Sequence, residues 1–179
     1  MDTRETIDGI IKRMGYTDFR WVDPADIVVS QWVRMKCVFG CNAYGKTATC
    51  PPNVPAVSEC ERFFREYNKA VIFHFAKNVE KPEDRFAWTR KISLELLKLE
   101  KEIFCAGFEK AFLLFMDSCS ICQTCQEKKE DCIEPKMSRP TPEALGIDVY
   151  STVRKAGYPI QVLSDYSQTM NRYAFLLIE

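Results

Sequence analysis

Four of the nine cysteines in this chain fall within fourteen residues, as C-x2-C-x2-C-x6-C over Cys119, Cys122, Cys125 and Cys132. Repeated two-residue gaps let successive thiolates turn inward around one small inorganic core. This is ferredoxin-type spacing, and it points to a 4Fe–4S cluster with Cys132 as fourth ligand. The competing reading is a structural four-cysteine zinc site. Zinc sites usually set C-x2-C pairs apart with a longer spacer, so the spacing favours the cluster. In ferredoxins with two clusters the last cysteine of the run serves the other cluster, which leaves Cys132 two destinations.

A second group lies upstream, with Cys37, Cys41 and Cys50 as C-x3-C-x8-C-P-P. Pro51 and Pro52 have no N–H to give the Cys50 sulfur, and they fix the turn that follows it. The radical-SAM spacing C-x3-C-x2-C is ruled out, because position 44 is Tyr. Three thiolates on a cubane leave one iron open, and an open iron acts as a Lewis acid or binds a small ligand. The fourth ligand stays open among Cys132, Cys60, another side chain and a substrate. The plainer readings are a second zinc or an ordinary electron-transfer cluster.

The remaining candidates read as structural. Cys60 shares a helical stripe with Phe63, Phe64 and Tyr67, which predicts a buried, inert thiol. Cys105 ends a long helix near Phe108 and is expected in the core as well. His74, the single histidine, sits in the strand VIFHFAK and reads as a satisfied interior residue. Arg34, Lys36 and Lys46 flank the first cysteines, either offsetting a cluster's negative charge or forming a solvated basic edge. Glu127 to Asp131 carries mixed charge and reads as a solvated loop.

These loops must be held by regular elements. Residues 3–15 predict an amphipathic helix ending at Gly15, and 26–36 a strand that delivers the chain to Cys37. Residues 37–55 read as loop, 56–67 as helix, and 69–77 as a strand apolar on both faces. Residues 82–106 predict the longest helix, with Trp88, Ile92, Leu96, Leu99 and Ile103 on one stripe. Residues 109–116 predict another buried strand, 148–156 a short helix, and 159–164 and 173–178 closing strands. The alternation predicts an α/β fold: a mainly central mixed sheet flanked by helices, with cysteine-rich metal-binding loops at one edge. A single domain over 1–179 is expected, with a cysteine-rich cluster-binding insertion at 117–147. A structureless stretch that long needs metal–thiolate bonds in place of a local core. If the strands ending near Lys36 and Met116 enter their loops from one sheet edge, the two cysteine groups meet within about 15 Å, given strand spacings of about 4.8 Å.

Bulk properties narrow the function. The chain has 179 residues, 46% of them hydrophobic, which is enough for an ordinary core. Lys+Arg and Asp+Glu are 25 each, so no basic field draws nucleic acid or anionic lipid. The opening MDTRETIDGI has no long apolar run and does not read as a secretory signal. No stretch approaches the roughly 20 apolar residues that span a bilayer. A cytoplasmic location is therefore expected, where clustered thiols are metal ligands rather than disulfides. Their sensitivity to oxidation suits an anaerobic host. There is no G-x-G-x-x-G and no Walker-type loop.

The segments VRMKCVFGCNAYGKTATCPP, CSICQTCQ followed by C-x2-P, and RPTPEALGIDVYSTVRKAGYPI together resemble the DUF2284 family. That family comprises cysteine-rich predicted metal-binding proteins of anaerobic archaea and bacteria. The resemblance runs from Trp32 to Ile160. It implies metal or iron–sulfur binding through Cys37, Cys41, Cys50, Cys119, Cys122, Cys125 and Cys132, and it implies no particular reaction. Thr141 and Pro142 stand where the family often shows Ser-Met before Glu-Ala. Cys60 and Cys105 lie outside the shared pattern. Gly146 to Val149 is expected to pack a helix against the cluster loop. Three functions follow as expectations. The first is an iron–sulfur protein with one or two 4Fe–4S clusters that passes electrons to a redox partner protein. The second is an enzyme using an open iron held by three cysteines. The third is a zinc-stabilised interaction module.

Overall fold

The structure, a computed structural model, describes residues 3–79, 81, 83–165 and 167–179. Its helices are α1 (Thr3–Arg13), α2 (Gln31–Gly40), α3 (Val57–Phe64), α4 (Asp84–Cys105) and α5 (Val149–Lys155). Its strands are β1 (Phe19–Val22), β2 (Ala70–Lys77), β3 (Phe112–Leu114) and β4 (Met170–Leu177). They form one sheet in the order β1-β2-β4-β3. The fold is α/β, as expected. Every strand pair is antiparallel, where a mixed sheet was expected. The reason is topological: β4 returns last and slots between β2 and β3, opposing both.

Both faces of the sheet are covered, which explains why β2 reads as apolar throughout. Val71 and Phe73 of β2, Leu113 beside β4's Ala174 and Leu176, and Phe115 face α1 and α4. There they meet Ile7, Ile11, Leu96, Leu99 and Ile103. The alternate residues Ala70, Ile72, Leu114, Phe175 and Leu177 face α3 and α5, against Phe64 and Val153. The register Val71↔Leu176 and Phe73↔Ala174 keeps these sets apart, and a one-residue slip would exchange them. Phe73, Phe115 and Phe175 are fully buried, each contributing about 1.5–3 kcal/mol.

Three expectations are corrected. Residues 26–36 are not a strand. Pro24–Asp26 is a 3-10 turn, Val29 makes one isolated bridge to Ile147, and α2 begins after Ser30. The β-branched run is overridden by tertiary contact. Arg34 donates from α2 to the carbonyls of Pro55, at 3.1 Å, and Ala144, at 3.0 Å. Through its Nη2, Arg34 ties the helix to the two segments that carry these carbonyls. On α2 only Val33 is buried, and Trp32, Met35 and Phe39 are exposed. Residues 159–164 are irregular rather than a strand; the Tyr173 hydroxyl donates to the Pro159 carbonyl and tethers them. Cys105 is exposed, because Leu99 and Ile103 take the inward positions of α4's last turns. The expected helix start at Pro82 lies outside the described residues. The short edge strand β1 has no period-two signal and was not legible.

Two structural readings hold. His74 shares Nδ1 with Asp18 Oδ2 and Nε2 with Asn171 Oδ1, both at 2.7 Å, and stacks on Tyr173. Cys60 is buried, with Sγ 3.7 Å from the Pro55 carbonyl. Cys60→Ala is expected to cost about 1–2 kcal/mol through a small cavity, with metal content unchanged. Denaturant unfolding and metal analysis check this; loss of about half the metal would make Cys60 a ligand.

Candidate metal centre

The first thiol group starts on a helix. Cys37 and Cys41 are four residues apart, so they leave the C-terminal turn of α2 on one side. Cys41 is the C-cap, with extended φ −108° and ψ 117°. The chain then folds on itself. The amide of Tyr44 donates to the Cys41 carbonyl, that of Gly45 to Pro51, and that of Cys50 to Thr47. Gly45 has φ +74°, a left-handed value that suits glycine. This coil returns Cys50 towards Cys37 and Cys41. The three line one cavity of about 170 Å³ with Tyr44, Glu143 and Arg172 in its walls.

The second group is held by α4. Arg85 Nε lies 2.8 Å from Asp117 Oδ2. Arg90 donates to the carbonyls of Ser120 and Ile121, both at 3.0 Å. Glu100, inside the apolar stripe of α4, takes Arg139 at 2.9 and 2.8 Å and the Leu113 amide at 2.8 Å. One helix thus grips both ends of the cysteine-rich segment. Between those grips, Cys119, Cys122, Cys125 and Cys132 line a single narrow cavity of about 20 Å³. Cys132 therefore shares a cavity with the run and not with Cys37, Cys41 and Cys50.

The two loops touch. The Ala48 amide donates to Cys125 Sγ at 3.4 Å. Cys50 Sγ is 4.0 Å from the hydroxyl of Ser118, the residue before Cys119. Asn53 donates to the Thr47 and Glu127 carbonyls at 3.0 and 2.7 Å, bridging the loops. The meeting point is the end of the sheet where β3 leaves and β4 enters. Only the second group arrives there directly from a strand; the first arrives from α2. The expected meeting occurs by a different route.

Gly146 packs this region closely. Its φ is +85°, and an added Cβ would lie 3.1 Å from Val57. Its carbonyl accepts the Ser30 amide, and the Asp148 amide donates to Val28. The segment Gly146 to Val149 thus docks on the approach to α2. Arg34 spends its guanidinium on carbonyls, Lys36 is exposed beside Cys37, and Lys46 and the Glu127–Asp131 stretch are exposed.

Burial pushes the Cys37 thiol up from its ordinary value. Neighbouring Cys41 and Cys50 add to this, and Arg34 opposes it. Burial also pushes up Cys50, opposed by the Thr47 and Ser118 hydroxyls. Cys119 and Cys122 rise from burial first and from neighbouring thiols as well. Thiols raised this way are protonated near neutrality, so metal must displace their protons. Metal affinity is therefore expected to rise with pH across about pH 6.5–8.5, with protons released on loading. A pH-indicator titration of the metal-free protein checks this; flat affinity without proton release would contradict it.

The donor set fits a thiophilic metal. All nine cysteines are free thiols, and thiolates select zinc, copper(I) and iron–sulfur clusters. The Thr49 hydroxyl, buried in the wall of the four-cysteine cavity, has no hydrogen-bond partner among the described residues. The Ala48 amide in the same wall donates to sulfur at Cys125. Among the described residues no three Cys, His, Asp or Glu side chains converge on one point that would hold a single ion. Sequence reasoning missed Glu143, Arg172, Thr49 and the grips of α4. Glu100 alone left a signal, as an acid on an apolar stripe.

Seven thiols in two touching loops make a thiol-rich centre of the kind a metal-binding protein needs. The chain belongs to the family described as predicted metal-binding protein (DUF2284), which matches residues 20–178. No curated protein and no solved structure matches the chain. No helix among the described residues is long and apolar enough to cross a membrane.

Proposed function

We propose that the protein is a cytoplasmic iron–sulfur protein carrying two 4Fe–4S clusters and passing electrons to a redox partner protein. Cys119, Cys122, Cys125 and Cys132 hold one cluster; Cys37, Cys41 and Cys50 hold the other. The contact between the loops carries this reading, with the Ala48 amide on Cys125 Sγ and Cys50 Sγ at Ser118. Clusters held by two loops in contact would be near enough for electrons to pass between them. A cluster bound at either set of thiolates would supply one-electron redox chemistry. The protein's own part is to hold the thiolates and to aim N–H and O–H groups at sulfur, which stabilises the more negative, reduced state. Anaerobic purification with iron, sulfide and zinc analysis tests it. A brown protein with about eight iron and eight sulfide, absorbing broadly near about 400 nm, is the expected result. A colourless protein with stoichiometric zinc and no sulfide would overturn it in favour of a zinc-stabilised module.

A second reading, an enzyme acting at the three-cysteine centre, has one observation in its favour. A cavity of about 350 Å³ runs from Cys37 and Cys41 past Glu143, Tyr150 and Arg172. A small ligand that shifts the spectrum of only one cluster would favour it.

A further inference from the structure

We infer that the Glu143 carboxylate is the fourth ligand of the centre on Cys37, Cys41 and Cys50, giving that site a three-thiolate, one-carboxylate set. This rests on the two-cluster reading above. Glu143 opens a 3-10 turn, Glu143–Leu145, which is docked on α2 by the Arg34 bond to the Ala144 carbonyl. The element carrying Glu143 is thus clamped to the helix carrying Cys37 and Cys41. Glu143 lines the cavity that holds all three thiols, and also the larger cavity that reaches Cys37 and Cys41.

The other possible donors are engaged elsewhere. Cys132 lines the cavity of the four-cysteine run. Cys60 is buried in the apolar cluster under α3, against the Pro55 carbonyl. Cys105 is exposed at the end of α4. Asp117 is paired with Arg85, and Asp148 takes the amide and hydroxyl of Ser151. Both nitrogens of His74 are bonded. Of the two acids in the walls of the three-thiol cavity, Asp117 is ion-paired with Arg85, whereas Glu143 takes the Thr141 hydroxyl and lies near Arg172, whose charge offsets the added negative charge.

Carboxylate oxygen is a harder donor than thiolate and holds iron less tightly. The iron on Glu143 is therefore the one lost when the ligand is removed. In Glu143→Ala, iron is expected to fall by about one per chain with sulfide unchanged, as one cubane becomes a three-iron cluster. Glu143→Cys is expected to keep the full iron content. In the wild-type protein, Mössbauer spectra are expected to resolve about one iron in eight as a distinct site with oxygen ligation. If Glu143→Ala fails to fold, Glu143→Gln carries the same test: its oxygen-ligated iron signal is expected to be lost, and an unchanged signal would overturn the inference. Wild-type protein loaded with iron and sulfide, but with eight equivalent thiolate-ligated irons and no change in Glu143→Ala, would overturn the inference and leave the two-cluster reading standing. Wild-type protein with zinc and no sulfide would overturn both.

Discussion

Cys119→Ala, Cys122→Ala and Cys125→Ala are each expected to remove iron and to lower folding stability in the same experiment. Between Phe115 and Pro142 the chain has no helix or strand. Arg85, Arg90 and Glu100 hold it at Asp117, at Ser120 and Ile121, and at Arg139. From Gln123 to Lys136 nearly every side chain except the cysteines is exposed, Ile133 included. Little apolar burial is available to offset the entropy of ordering that stretch, which is about 1–2 kcal/mol per residue for the backbone alone. Metal–thiolate bonds have to supply the difference. A structural metal site contributes up to about 10–16 kcal/mol, so loss of one ligand is expected to cost several kcal/mol. Cys125 is farthest from the grips of α4 and also receives the Ala48 amide, so its loss loosens both loops. Metal analysis and thermal unfolding of the three variants check this. Full iron content with unchanged unfolding in all three would sink it.

Glu100→Ala is expected to be the most damaging change that touches no cysteine. The Glu100 side chain is only 7% exposed and that of Arg139 19%. The carboxylate takes two guanidinium N–H groups and the Leu113 amide, so it joins α4, the edge strand β3 and the end of the cysteine-rich segment. Removing it leaves a buried amide without a partner and a largely buried guanidinium with the Lys136 and Ser138 carbonyls on Nη1 but no counter-charge. Breaking such a pair from one side costs about 3–5 kcal/mol. Glu100→Gln keeps an acceptor for Leu113 but loses the charge, and should fall between wild type and alanine. Denaturant unfolding of the three proteins orders them. If alanine costs no more than an exposed ion pair, under about 1 kcal/mol, the grip of α4 on the segment is not what holds it.

The two cysteine sets were legible because they depend on local spacing, and the structure brings each set to one cavity. Short gaps between cysteines limit where thiols can point whatever the surrounding fold, and the same holds for the proline pair after Cys50. The long elements were legible too. The stripe on α4 and the doubly apolar run of β2 report burial directly, and the sheet buries β2 on both faces as its composition demands. The stretch from Asp26 to Lys36 misled because its valines favour a strand locally, while the structure makes Gln31–Gly40 a helix that Arg34 docks on Pro55 and Ala144, distant in sequence. Cys105 misled because adjacent helical positions point different ways, and apolar neighbours do not say which faces inward.

What the sequence determined by itself is the chemistry: seven thiols in two spaced sets, a chain without net charge, and an α/β frame. Only the tertiary structure decided how the sets relate. Strand order, which no local pattern encodes, puts β4 beside β3 and brings Arg172 to the point where the cysteine-rich segment begins. Contacts across 77 residues between Ala48 and Cys125, and across 68 between Cys50 and Ser118, join the loops. Arg34 brings Glu143 to the three-thiol cavity in the same way, from 110 residues away at Ala144. Each of these depends on a side chain or amide finding a partner far along the chain, and spacing alone cannot specify such a partner.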